Sequence, residues 1–516
     1  MTRRITRRQA LGELVAGAGL LAAGCAATGS LAPDPGGSTL RTTYRDPRGT
    51  GVLVVARGEP LRPRTELGPP ARNVGVLATI AHLTDAHVLD AQSPARVTFL
   101  DRLGAPFEST FRPQETLTTQ VLTGALYAIR TLRPDALIQG GDLIDNDQSN
   151  ELEHALAALN GGTVSPRSGG QGYFGVQSPF DADPFYYRPD LDAPRHPGLL
   201  QAATHEFTSP GVGRAWYPVL GDHDILVAGE IAPTRQTRAL ALGDQAVWDL
   251  PPGLTTSPGL GSAVHTVTSG VGFSPDGPPR PRLVERFLHE ALNGPKVRVR
   301  PDRARRELEF DEVIRRLRLS SAGNRARGES IPPNIGSGRL LDYSVDVGSR
   351  VRMVVLDLAR RAGGSGGRVH PGQAEWLAGE LDGAGDRWVL VCSHQPLVGS
   401  EGGEQILGLL DRDRRVIAAI SGHVHRHRII ARRTTAGGYW LISTASLVDY
   451  PQQARALRVV ETSGGGVAIQ TWVLDHVFPG RLGTISRQLA FLDAQGGRPQ
   501  GLAGGVMDRN VTLYRA

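Results

Sequence analysis

The chain has 516 residues, 40% of them apolar, which is room for a large core and for one big domain with insertions or two domains. Four arginines and one glutamate in the first 30 residues supply half of the +6 formal charge, and what remains is too small to argue for binding nucleic acid or an anionic surface. Two cysteines, Cys25 and Cys392, exclude a disulfide framework, and Cys392 in the run Val389-Leu-Val-Cys-Ser393 reads as a buried small hydrophobe.

The first residues, Arg3-Arg4-Ile-Thr-Arg7-Arg8, lead into an apolar run ending at Gly24-Cys25. A basic start, a short apolar core and small residues make an export signal over 1–30, too short for a comfortable membrane span. Thr6-Arg7-Arg8-Gln-Ala-Leu11 resembles a twin-arginine signal, the route for proteins exported already folded, which implies an extracellular or cell-envelope location. Leu21-Ala-Ala-Gly-Cys25 is similar to a lipoprotein processing site and implies a lipid anchor through Cys25; plain cleavage just beyond is the alternative. Residues 31–73 are rich in Pro, Gly and Arg and read as a linker with one strand at 51–56.

The apolar run 74–83 predicts a strand ending in Thr84-Asp85-Ala86-His87. Helical spacing over 116–132 follows, and then a second strand ends in Leu137-Ile-Gln-Gly-Gly-Asp142. Strand, helix, strand in that order argues for a parallel pair in an α/β sheet. An insertion at 147–213 carries Tyr173, Phe174, Phe180, Phe185, Tyr186 and Tyr187, too aromatic for a disordered linker. It reads as an ordered loop, either capping a substrate or packing on its own aromatics.

The run 215–220 leads to Gly221-Asp-His-Asp224, and a second insertion spans 225–339. Its arginine-dense part predicts a helix over 302–319, where the alternation of Arg305, Arg306, Glu307 and Glu309 reads as a solvated, salt-bridged face rather than an anion site. A hairpin over 340–347 and 350–357, a helix over 373–381, a strand over 388–393 ending at His394, and a helix over 404–410 come next. A strand over 416–421 ends at Gly422-His-Val-His425, strands follow at 428–433, 438–443, 456–461 and 467–474, and the tail 476–516 holds one amphipathic stretch at 485–492.

Five strand-like runs thus end in metal-ligand residue types: Asp85 with His87, Asp142, Asp222 with His223 and Asp224, His394, and His423 with His425. Taken singly, each has a dull explanation: a carboxylate after a strand is usually a turn or a cap. All five in one order, each after a strand, are hard to explain by chance. Asp142 follows Gly-Gly at the carboxyl edge of its strand, and its two oxygens allow it to bridge two hard cations. Imidazole mixed with carboxylate suits Fe, Mn or Zn.

These motifs match the calcineurin-like metallophosphoesterases over roughly residues 75–475, with two long interruptions. The twin-arginine start and the inserts further resemble an actinobacterial group of exported members. The resemblance implies an α/β fold, a β-sandwich flanked by helices in four layers (αββα), for a catalytic domain at 74–475. It implies one metal on Asp85, His87, Asp142 and His425 and another on Asp142, Asp222, His394 and His423. It implies a hydroxide bridging the two metals as nucleophile, His223 as general acid and Asp224 orienting His223, acting on a phosphate-ester small molecule or nucleotide. The chain departs from the family at Asp222, where Asn is usual. The extra carboxylate cancels the charge that draws a phosphate, so either one ion is trivalent, Fe(III) foremost, or nearby arginines help. Monoester and diester substrates both remain open, and an exported, non-catalytic metal-containing binding protein on the same fold is the alternative from another class.

Overall fold

A computed structural model describes residues 31–103, 110–180, 183–254, 289–321, 339–496 and 502–516. The export signal, Cys25, and the middle of the second insertion lie outside the described residues. Among the described residues no helix is long and apolar enough to cross a membrane.

The chain builds one sheet from its two ends and another from its middle. The strands β1 (Arg62–Leu67), β2 (Asn73–Leu83), β3 (Ala136–Gln139) and β4 (Trp216–Pro218) come first. Then follow β5 (Tyr343–Val347), β6 (Val351–Leu356), β7 (Trp388–Ser393), β8 (Val416–Ser421), β9 (Arg428–Arg432) and β10 (Tyr439–Ser443). The last are β11 (Gln453–Thr462), β12 (Val467–Asp475) and β13 (Val511–Arg515). The seven-stranded sheet has the order β1-β13-β12-β11-β2-β3-β4, and the six-stranded sheet β5-β6-β7-β8-β10-β9. Strands β2, β3 and β4 are mutually parallel, as are β6, β7, β8 and β10. The carboxyl ends of each parallel set therefore lie along one edge, where such sheets place their sites.

Side-chain alternation stacks the layers. Met353, Val355, Leu390 and Cys392 join Ile80, Leu137, Trp216 and Leu457 in the core between the sheets. The residues between them, Val354, Leu356, Val389 and Val391, face the other way. They pack under Leu377 and Leu381, and under Ile406 and Leu410, from the helices Gln373–Asp382 and Gly403–Leu410. On the seven-stranded sheet the helix Thr118–Leu132 packs against β11 and β12. The result is an α/β sandwich of four layers. Cys392 is buried in its core, which pushes the thiol up to about 12.

Both ends of the chain belong to this sandwich. Within 31–73, read from sequence as a linker, Thr39 Oγ1 donates to Val473 O at 2.8 Å, and β1 pairs with β13. The tail supplies β13 and a helix, Arg481–Gly496. Neither strand shows in the sequence because β1 (Arg-Pro-Arg-Thr-Glu-Leu) is a mostly exposed sheet edge with no apolar alternation, and β13 is only five residues long.

The insertions pack against each other and the tail. Tyr186 and Tyr187 are buried with Phe111, Leu117 and Leu199 against Ile485, Leu489 and Leu492 of the tail helix. The aromatic loop thus packs on apolar partners, while Phe180 is exposed. In the second insertion the helix expected over 302–319 begins only at Phe310. Asp302 instead caps a single tight turn, Arg303–Arg305, by accepting from Ala304 N at 2.9 Å, and Glu307 is held extended by a bridge to Gln148. The solvated face holds for Arg306 with Glu312 and for Glu309 with Arg238 but fails for Arg305 and Glu307, which are buried. Arg305 is fully buried, with Nε 2.7 Å from Asp90 Oδ2 and a terminal nitrogen 2.9 Å from Ser168 Oγ.

Candidate metal centre

Every candidate ligand sits just past the carboxyl end of a strand, and five of the seven lie on a turn too sharp for ordinary backbone. Asp85, His87, Asp142, His423 and His425 all adopt left-handed φ, between 41° and 66°. That conformation costs roughly 1–2 kcal/mol per non-glycine residue, and such strain clusters at functional sites. Glycines allow the approach: Gly141 has φ 91° with His394 against its α-carbon, so a Cβ there would overlap the imidazole.

The two sheets are tied together at this edge. Asp85, past β2, accepts from His423 N, past β8, at 3.0 Å, while between neighbouring strands of the seven-stranded sheet Asp142 Oδ1 accepts from His223 N at 3.0 Å. Asp142, Asp222, His394 and His423 offer one ligand atom each within 4.8 Å of one another, and so do Asp85, His87 and His425. All seven are buried. Asp142 stands between the groups: Oδ2 is 2.9 Å from His394 Nε2 and 3.8 Å from His87 Nε2. His423 Nδ1 and His394 Nε2 each lie 3.4 Å from Asp222 Oδ1, and His425 Nε2 lies 3.2 Å from Asp85 Oδ1.

The outer ring nitrogens of His394, His87 and His425 are anchored from behind, which sets which nitrogen faces inward. His394 Nδ1 is 2.8 Å from Gly140 O, His87 Nδ1 is 3.1 Å from Asp145 Oδ1, and His425 Nδ1 is 2.7 Å from Asp449 Oδ2. Asp145 and Asp449 escape sequence reading: each is a lone carboxylate well past its strand. Gln395, next to His394, donates to Asp222 Oδ1 at 2.8 Å and was likewise not anticipated.

The electrostatics call for a cation. Burial alone would push the His394 imidazole down, but the carboxylates of Asp142, Asp222 and Asp85 override it and hold it well above its ordinary value. Burial would raise Asp85, yet His425, His394 and His87 bring it down to about 2. Asp142 Oδ2, Asp222 Oδ2 and His394 Nε2 are buried without a well-aligned hydrogen bond, the 2.9 Å approach of Asp142 Oδ2 to His394 Nε2 included, a cost that a coordinated ion removes. Mixed imidazole and carboxylate donors in two adjoining groups, with Asp142 between them, fit two metal ions.

His223 lies beside this cluster, its ring 4.4 Å from that of His87, and forms a further donor group with His87 and Asp142. The expected partner, Asp224, does not orient it. Asp224 spends both oxygens on backbone, accepting from Leu143 N and Gly221 N, each at 2.9 Å, and from Ile144 N at 3.3 Å. Those bonds hold the loop behind Asp142. The His223 ring is oriented by a backbone carbonyl instead, with Nδ1 2.7 Å from Asp145 O.

No protein-family model matches the chain, and no curated protein is significantly similar to it. Among solved structures it is similar to a dimetal phosphatase from Danio rerio, at 12% identity and a TM-score of 0.39, covering 78% of this chain and all of that one. It is similar to a purple acid phosphatase from yellow lupin (Lupinus luteus) seeds at 10% identity and a TM-score of 0.32, covering 90% of this chain and 57% of that one. It is also similar to the structure of PhoD at 10% identity and a TM-score of 0.28, covering 85% and 79%. At these identities and scores none of them assigns an activity to this chain.

Proposed function

We propose that the protein is a binuclear-metal-dependent phosphoester hydrolase of the calcineurin-like metallophosphoesterase superfamily. One observation carries the reading: two buried donor groups, Asp142/Asp222/His394/His423 and Asp85/His87/His425, meet at Asp142 Oδ2, which lies 2.9 Å from His394 Nε2 and 3.8 Å from His87 Nε2, with a separately oriented imidazole, His223, beside them. Asp85, His87, Asp142 and His425 would hold one ion, and Asp142, Asp222, His394 and His423 the other. Such a pair supplies a nucleophile at neutral pH and neutralises charge on the phosphoryl oxygens. The chain's own contribution to proton transfer is His223. A carbonyl accepting at Nδ1 fixes that nitrogen as a donor and leaves Nε2 as the atom that carries and releases a proton, which can pass to the leaving oxygen.

The metals are Fe, Mn or Zn, and Asp222 in place of Asn favours one trivalent ion. The substrate class is a phosphate-ester small molecule or nucleotide. The test is hydrolysis of an aryl phosphate and its bis-aryl diester by chelated and by Mn-, Fe- or Zn-reloaded protein, beside elemental analysis and redox-state spectroscopy. Metal-dependent turnover that falls in His223→Ala supports the reading. Bound metal with equal rates in wild type and variant would favour a non-catalytic binding protein. We also propose twin-arginine export on the strength of Arg7-Arg8, which Arg7→Lys with Arg8→Lys should block, leaving the protein in the cytoplasm.

A further inference from the structure

Behind the centre lies a buried guanidinium pair that the proposed chemistry does not use. Arg112, 1% exposed, donates from Nε to Asp449 Oδ1 at 3.0 Å and reaches to 3.9 Å from Asp145 Oδ1. Arg96 pairs with Asp145 Oδ2 and, at 2.8 Å, with Glu115 Oε2. Glu115 in turn accepts from Arg112 N at 3.0 Å. Asp145 and Asp449 are the carboxylates that hold the Nδ1 atoms of His87 and His425. Arg112 therefore touches the supports of two imidazoles at once, and both imidazoles belong to the Asp85/His87/His425 group.

The other group is supported differently. His394 Nδ1 rests on the carbonyl oxygen of Gly140, and Asp222 receives the neutral amide of Gln395. A carboxylate behind an imidazole raises its basicity and fixes its tautomer more firmly than a carbonyl does. Two buried carboxylates so placed are costly unless a cation meets them, and a planar guanidinium can meet both. An amide donating to Asp222 draws electron density away from a prospective ligand oxygen.

We infer that Arg112, bridging Asp449 and Asp145, is a positioning residue for the Asp85/His87/His425 half of the centre alone, so that the two halves hold their metals unequally, this half the more tightly. The inference rests on the two-metal reading above. Without Arg112 the Asp449 carboxylate loses its Nε donor while Asp145 keeps Arg96, so the orientation of His425 and, to a lesser degree, of His87 loosens, and the Asp222/His394/His423 half keeps its supports.

The test is a Co2+ titration of chelated protein, followed by visible absorption and by equilibrium dialysis. Wild type should bind two ions with separable affinities. Arg112→Met should weaken the tighter step about 10–100-fold and leave the weaker one within about twofold. In a His394→Ala background, which disables the other half, the Arg112→Met loss should persist; in a His425→Ala background it should vanish. Arg112→Lys, which keeps the charge but not the reach, should fall between. Asp449→Asn should act on the same step, and it carries the test if Arg112→Met does not fold by circular dichroism. Equal weakening of both steps, or no change in either, overturns the inference. Wild type that binds no Co2+ overturns the metal reading instead, so the two failures are distinguishable.

Discussion

The Nδ1 atom of His223 lies 2.7 Å from the backbone carbonyl oxygen of Asp145, whereas Asp224, next along the chain, accepts three backbone N–H groups behind Asp142. The proposed general acid is thus oriented by main chain, and its sequence neighbour shapes the turn that presents Asp142. His223→Ala should lower kcat by about 10²–10⁴-fold on esters with poor leaving groups and less on aryl phosphates, which need little protonation. Metal content should stay at the wild-type level. Steady-state kinetics on an alkyl and an aryl ester, with elemental analysis, check both statements.

For Asp224 the expected loss is one of stability. Asp224→Ala leaves buried N–H groups without an acceptor, at roughly 1–3 kcal/mol for each one not rescued by water. Denaturant unfolding of wild type and variant measures it. Undiminished stability together with abolished turnover would mean that Asp224 acts on the chemistry after all.

Gly141 is the tightest point of the turn before Asp142. Alanine there meets both an unfavourable φ of 91° and the His394 ring, which cannot retreat because Gly140 O holds its Nδ1. The backbone conformation alone costs about 1–2 kcal/mol. Gly141→Ala should therefore lower Tm and also release metal from the half that includes His394. Thermal unfolding with and without added Mn2+ reads both: rescue by the metal to within a degree of wild type would show that the ring had not moved.

Arg305 holds the insertions to the edge of the site. It meets Asp90, whose carboxylate also accepts from Asn150 Nδ2 at 2.9 Å, Ser168 Oγ at 2.6 Å and Gln92 N at 3.0 Å. Breaking a buried pair from one side strands the other charge, at about 3–5 kcal/mol. Arg305→Met should destabilise the protein by that order and make the insertions susceptible to limited proteolysis before the sandwich. Unchanged cleavage kinetics would show that other contacts keep the insertions in place.

Asp342 gives a pH dependence remote from the metals. Burial, with the Asp357 carboxylate facing it, pushes it up to about 7. Its unfolded value is near 3.9, so between about pH 4 and pH 7 the folded state binds the extra proton, and stability falls as pH rises through that window. Asp342→Asn should remove this component. Urea unfolding at pH 5 and pH 8, at fixed metal occupancy, should show a wild-type loss exceeding that of the variant by about 2–4 kcal/mol. Parallel slopes would contradict it.

The sequence by itself determined what local order can record. The continuous apolar runs at 388–393 and 416–421 marked strands, which are buried on both faces, and metal-binding residue types directly after the strands marked the edge where the site forms. Spacing such as Asp85-x-His87 and His423-x-His425 is legible because both ligands leave one turn. Only the tertiary structure decided the supports. Arg112 meets Asp449 across 337 positions, and Arg305 meets Asp90 across 215. Nothing periodic links such pairs, since a hydrogen bond between distant segments depends on how the sheets and insertions close, not on neighbours in the chain. The same holds for β1 and β13, the edge strand and its partner from the far end, each too short or too polar to declare itself before the other is in place.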